Sequence, residues 1–87
     1  MENEITYKIT DQNGIHARPA GLIVQTARQY EATSLLSIGG KSADCKKLFQ
    51  LMQLGVRQGD EVRLTATGAD SREAVAGIER TMREAGL

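Results

Sequence analysis

Ile5, Tyr7 and Ile9 alternate with Thr6, Lys8 and Thr10 near the start of the chain. A period of two puts apolar side chains on one face and polar ones on the other, so this spacing predicts a half-buried strand. The run Asp11-Gln12-Asn13-Gly14 interrupts it with turn formers. From Ala17 the period changes. Ala20, Ile23 or Val24, Ala27 and Tyr30 recur at the spacing of one helix face. Pro19 fits that helix because it falls in the first turn, where a missing N–H forfeits no intrahelical bond.

Thr33 to Ile38 is rich in apolar and β-branched residues and reads as a second strand. Gly39-Gly40 suits a hairpin turn, with Lys41 to Asp44 or Cys45 as the return strand. Lys46 to Leu54 reads as a short helix with Leu48, Leu51 and Met52 on related faces, ended by Gly55. Leu51 is assigned to the core. Glu61 to Thr67 is a fourth strand, with Val62, Leu64 and Ala66 on one face, and Gly68-Ala69 turns the chain. Asp70, with Glu73 three residues on, predicts a capped last helix. Ala74 or Val75, Ile78, Met82 and Ala85 form its buried stripe, and Gly86 closes it. The order is βαββαβα, an α+β open-faced sandwich of four strands with helices on one face. Residues 1–87 form a single domain with no internal repeat, linker or low-complexity tract.

Composition narrows the function. Three aromatics (Tyr7, Tyr30 and Phe49) leave the core to aliphatic residues. Lys plus Arg number 11 and Asp plus Glu number 11, so the formal net charge is zero. That balance leaves no electrostatic footprint for nucleic acid or an anionic membrane. Cys45 is the only cysteine, which rules out an intrachain disulfide and fits a reducing cytosol. Met1-Glu2-Asn3-Glu4 is polar and acidic, unlike a signal peptide, and no apolar run approaches membrane-spanning length. The expected location is the cytoplasm, without membrane insertion. No Cys/His or carboxylate spacing suggests a metal site, and no cofactor is expected.

The chemistry concentrates in Gly14-Ile15-His16-Ala17-Arg18-Pro19-Ala20. His16 is the only histidine, and it stands where a strand gives way to a helix. A helix N-terminus carries unpaired N–H groups and the positive end of the macrodipole, both of which favour a phosphate. That position disfavours the imidazolium and keeps a nucleophilic lone pair available. The backbone N–H groups of Ala17 and Arg18 can serve as fixed donors. The Arg18 guanidinium adds a planar fork suited to phosphate oxygens. Phosphoryl transfer asks mainly for positioning and charge stabilisation, which these groups provide.

With these residues, the chain resembles the HPr family, the histidine-containing phosphocarriers of the bacterial sugar phosphotransferase system. The likeness extends from the first strand to the last helix. A second matching region is Lys47-Leu48-Phe49-Gln50-Leu51-Met52-Gln53-Leu54-Gly55-Val56. The resemblance implies a four-stranded antiparallel sheet covered by three helices. It implies that His16 takes a phosphoryl group from enzyme I and gives it to the IIA components of sugar transporters. It makes the protein a stoichiometric carrier, not a turnover enzyme. His16 matches the phosphorylated residue, with attachment at Nδ1, and Arg18 matches the phosphate-stabilising arginine. The first and second helices form the family's partner surface, here Gly21, Leu22, Gln25 and Arg28 with Leu48, Phe49 and Met52. A transient carrier is most simply a monomer.

One position departs from the family. Many Gram-positive phosphocarriers hold, at the start of the second helix, a serine that an ATP-dependent kinase phosphorylates. Lys47 occupies that position here and has no hydroxyl. Regulator-only relatives lack the histidine that this chain keeps. Two other readings remain: a nitrogen-branch carrier with the same chemistry, and a small-molecule-sensing regulatory domain that carries no covalent phosphate.

Overall fold

The alternation of apolar and polar residues builds one four-stranded sheet. A computed structural model describes residues 2–87. The elements are β1 (Glu2–Lys8), α1 (Ala17–Ala27), β2 (Thr33–Ile38), β3 (Lys41–Asp44), α2 (Leu48–Gln53), β4 (Glu61–Thr67) and α3 (Ser71–Glu84). The strands pair antiparallel in the order β1-β4-β2-β3. Register lines up like with like. Ile5 faces Leu64, Leu64 faces Leu36 and Leu36 faces Ala43, one apolar row across the sheet. The next row is Thr6, Arg63, Ser37 and Ser42, all polar. A one-residue slip would exchange these rows between core and solvent, which pins the register.

The three helices cover the apolar face, giving the βαββαβα open-faced sandwich that the sequence predicts. α3 packs on β1, β4 and β2, α1 packs on α3 and α2, and α2 reaches β3. Ile23, Leu36, Leu51, Leu64, Ile78 and Met82 are completely buried between the layers. Each such side chain contributes about 1.5–3 kcal/mol by leaving water. Leu51 lies in the core, as the sequence reading assigns it.

Several boundaries differ from the sequence expectation. Hydrogen-bonded pairing of β1 runs over Glu2–Lys8, so Ile9 lies just beyond the strand, although it is fully buried. There its N–H donates to Asp60 C=O at 2.8 Å and its C=O accepts from Gly59 N–H at 2.8 Å. α1 stops at Ala27, and Tyr30 belongs to the turn that follows. Tyr30 still packs on the core because Gly77, inside α3, leaves room for its phenol. A Cβ at Gly77 would collide with Tyr30 Oη.

α2 spans Leu48–Gln53, shorter than Lys46–Leu54, because Asp44 holds the segment before it in a turn. The Asp44 carboxylate accepts from Lys46 N–H and its C=O from Lys47 N–H, both at 2.9 Å. Met52, on the same short helix, is exposed. At the start of α3, Asp70 occupies the N-cap position without a side-chain cap, so the expected capping box does not form. Its carboxylate instead accepts from Glu31 N–H at 2.9 Å and Ala32 N–H at 2.8 Å, in the α1–β2 turn. Ala85 is the half-exposed C-cap, and Gly86 follows with φ +86°. Leu87 N–H then reaches Met82 C=O and Gly86 N–H reaches Arg83 C=O, a Schellman closure that returns Leu87 to the core.

Candidate functional site

The approach to His16 is a chain of local constraints. Asp11 Oδ1 accepts from Asn13 N–H at 2.8 Å, and Asp11 C=O accepts from Gly14 N–H at 3.0 Å. This is an Asx turn, a conformation that aspartate favours for this reason. Gly14 follows with φ +62°, pressed so closely on the Val56 carbonyl that a Cβ would collide with it. Ile15 is then buried as an anchor. His16 is extended (φ −109°, ψ −175°) and occupies the N-cap of α1.

Burial decides which way the motif faces. Ile15, Pro19 and Ala20 point into the core, while Ala17 and Arg18 are exposed. The His16 side chain retains 42% of its accessible surface, which leaves the ring open to a partner molecule. Ala17 and Arg18 hold the first N–H groups of α1, and Pro19 has none to offer. The first intrahelical bond runs from Ala20 N–H to His16 C=O at 3.0 Å. Arg18 forms no ion pair among the described residues.

One contact to the imidazole was not legible as a site residue. Asp11 Oδ2 lies 3.4 Å from His16 Nε2. The Asn13 N–H lowers the Asp11 carboxyl below its ordinary value, partial burial opposes this, and His16 adds to the lowering. Asp11 is therefore ionised at neutral pH and can only accept a hydrogen bond. In the sequence it reads as one more turn former. The available signal was that an Asx turn fixes the direction of its carboxylate.

The other sequence-selected residues lie on two helices that pack against each other. On α1, Leu22 and Gln25 are exposed and Gly21 is half-buried, with open space around it. Arg28, the C-cap of α1, sends its guanidinium to Lys46 C=O at 3.1 Å, and Lys46 Nζ returns to Tyr30 C=O at 2.8 Å. On α2, Phe49 is 73% exposed and Met52 is exposed, while Leu48 is half-buried and packs on the core. Leu22, Phe49 and Met52 are the large exposed apolar residues among those described. Lys47 is the N-cap of α2 and makes no side-chain cap.

No cluster of metal-binding side chains occurs among the described residues, and no helix of the described chain is long and apolar enough to cross a membrane. A shallow groove between β3 and α2, lined by Lys41, Ser42, Gln50, Gln53 and Leu54, does not include the histidine.

Known proteins resemble this chain along nearly its whole length. The sequence model of the family described as the PTS HPr component phosphorylation site covers residues 3–84. Among solved structures, HPr-C-His from Thermoanaerobacter tengcongensis is similar at 35% identity with a TM-score of 0.87, over 94% of this chain and 92% of that one. The histidine-containing phosphocarrier protein of Mycoplasma is 27% identical with a TM-score of 0.95, over 98% and 97% of the two chains. Crh, the catabolite repression protein of Bacillus subtilis, is 34% identical with a TM-score of 0.77, over 93% of each chain, and that structure is a dimer with a swapped domain.

Proposed function

This chain belongs to the HPr family, and on that ground we propose that it is a phosphocarrier of the sugar phosphotransferase system with His16 as the carrying residue. Membership supports a phosphocarrier role in general. The observation that carries the finer reading is the half-exposed imidazole at the N-terminus of α1, with Nε2 turned to Asp11; on this reading Nδ1 is the nitrogen that takes the phosphorus. The Nδ1 lone pair attacks phosphorus held by phospho-enzyme I. The Ala17 and Arg18 N–H groups and the Arg18 guanidinium stabilise the charge on the phosphoryl oxygens.

The phosphoryl group then passes to a IIA component. One arginine and a helix terminus hold it without a metal, which suits a group that must leave again. Gly21, Leu22, Gln25, Leu48, Phe49 and Met52 form the docking surface, with Arg28 at its edge. An apolar centre with a polar rim suits partners that bind in turn and release. The protein works as a cytoplasmic monomer, and Lys47 removes it from control by a serine kinase at that position.

The test is intact-mass measurement after incubation with phosphoenolpyruvate and a bacterial enzyme I, beside His16→Ala. Gain of one acid-labile phosphate, absent in the variant, is the expected result. Folded wild-type protein that gains none with several enzymes I would remove the carrier assignment.

A further inference from the structure

Asp11 and His16 are five residues apart and meet across the loop that precedes α1. The carboxylate is not free to swing. Oδ1 is engaged by Asn13 N–H at 2.8 Å, and Asp11 C=O by Gly14 N–H at 3.0 Å. Gly14 is itself seated against Val56. What remains is Oδ2, aimed at Nε2 of the only histidine in the chain at 3.4 Å.

An ionised carboxylate accepts and cannot donate, so the nitrogen facing it carries the proton. In a neutral imidazole the other nitrogen then holds the lone pair. Resting on the carrier reading above, we propose that Asp11 is a positioning residue: it holds His16 as the Nε2–H tautomer and thereby presents the Nδ1 lone pair to phosphorus.

The same contact serves both halves of the transfer. On acceptance, the Nδ1 lone pair forms the N–P bond. The donor's bond to phosphorus breaks, and its electron pair leaves with the donor atom. Nε2 keeps its proton, so the ring becomes cationic, and the Asp11 carboxylate faces that charge. On donation, the N–P bond breaks and its electron pair returns to Nδ1. The leaving group is a neutral imidazole because Nε2–H is still in place. A ring that had lost this proton would have to leave as imidazolate, a far poorer leaving group. Asp11 therefore opposes both the wrong tautomer before acceptance and loss of the Nε2 proton before donation.

Two substitutions separate this role from a structural one. In Asp11→Ser, the hydroxyl can still accept from Asn13 N–H and keep the turn, but nothing reaches Nε2. In Asp11→Asn, the amide oxygen stays on Asn13 N–H, and the NH2 group faces His16. Nε2 must then accept, which favours the opposite tautomer. The readout is the ¹⁵N spectrum of the imidazole in the unphosphorylated protein, unambiguous with one histidine, and it requires no phosphoryl donor. The Gly14 amide resonance serves as a check that the loop is intact.

The expected ratio of Nε2–H to Nδ1–H falls about fivefold in Asp11→Ser, the worth of one charge-assisted bond at a partly exposed site. It falls further in Asp11→Asn, and phosphate acceptance slows in the same order without a change in KM for the donor. Unchanged tautomers in variants that still accept phosphate would overturn the proposal and leave the carrier reading standing. Shifted tautomers in proteins that accept no phosphate, wild type included, would sustain the hold of Asp11 on the ring and overturn the carrier reading.

Discussion

At the residue scale, the loop that carries His16 is seated by a neighbour without chemistry of its own. Gly14 takes φ +62° and lies against the Val56 carbonyl, closer than any Cβ allows. It thereby couples the loop that carries the histidine to the exit of α2. Gly14→Ala is expected to lower unfolding free energy by more than about 2 kcal/mol, from left-handed backbone strain together with displacement of Val56. Gly39 has a similar positive φ with open space around a Cβ, so Gly39→Ala carries the strain alone and should cost less. Urea unfolding of the two variants checks this, and equal losses would mean that the Val56 contact contributes nothing. The motif containing Gly14 was legible in the sequence. Its contact with Val56, 42 positions further along the chain by number, was not, because no local pattern reports which backbone a loop will touch.

At the element scale, periodicity, composition and turn signals located every strand and helix; β2 and β4 match residue for residue, and β3 ends at Asp44, one of the two ends the sequence left open. The differences arose where a side chain found a distant or unexpected partner. Asp70 carries the local signature of a helix cap, yet its carboxylate spans 39 positions to Glu31 N–H. Asp44 similarly shortens α2 by fixing the turn before it. The Asp70 interaction predicts a pH dependence. The Glu31 N–H, joined by the Ala32 N–H and Lys46, lowers the folded carboxyl below its ordinary 3.8, against the opposing effect of desolvation. A lowered folded value means stability that is fully present above pH 3.8 and lost as pH falls through the folded value. Asp70→Asn removes the charge, so the variant should be less stable at neutral pH and the gap to wild type should narrow under acid. Denaturant midpoints measured from neutral to strongly acidic pH test this. A gap that stays constant with pH would mean that the carboxylate charge is not the source.

At the scale of the whole molecule, a carrier must offer one face to successive partners while the layer beneath stays unchanged. The half-exposed His16 at the N-cap of α1 and the exposed Leu22, Phe49 and Met52 on α1 and α2 are backed by a core that includes Cys45, fully buried in the link from β3 to α2. Burial, with the charge of Asp44 adding, pushes the Cys45 thiol up to about 12. The thiolate is the reactive form, so at neutral pH this sulfur is both inaccessible and protonated. Its N–H is bonded to Ser34 C=O at 2.9 Å, which ties the residue to the central part of the sheet. Cys45 should therefore react with a disulfide reagent only through opening of the domain. The expected labelling rate rises with denaturant along the slope of global unfolding. A rate independent of denaturant would instead locate a separate opening of the β3–α2 link, at the entry to the proposed docking helix. The chain leading into α2 would then yield without unfolding, and partner exchange would involve motion of that helix. A rate that follows global unfolding makes the docking face a rigid surface, on which the changing elements are the exposed side chains and the state of His16.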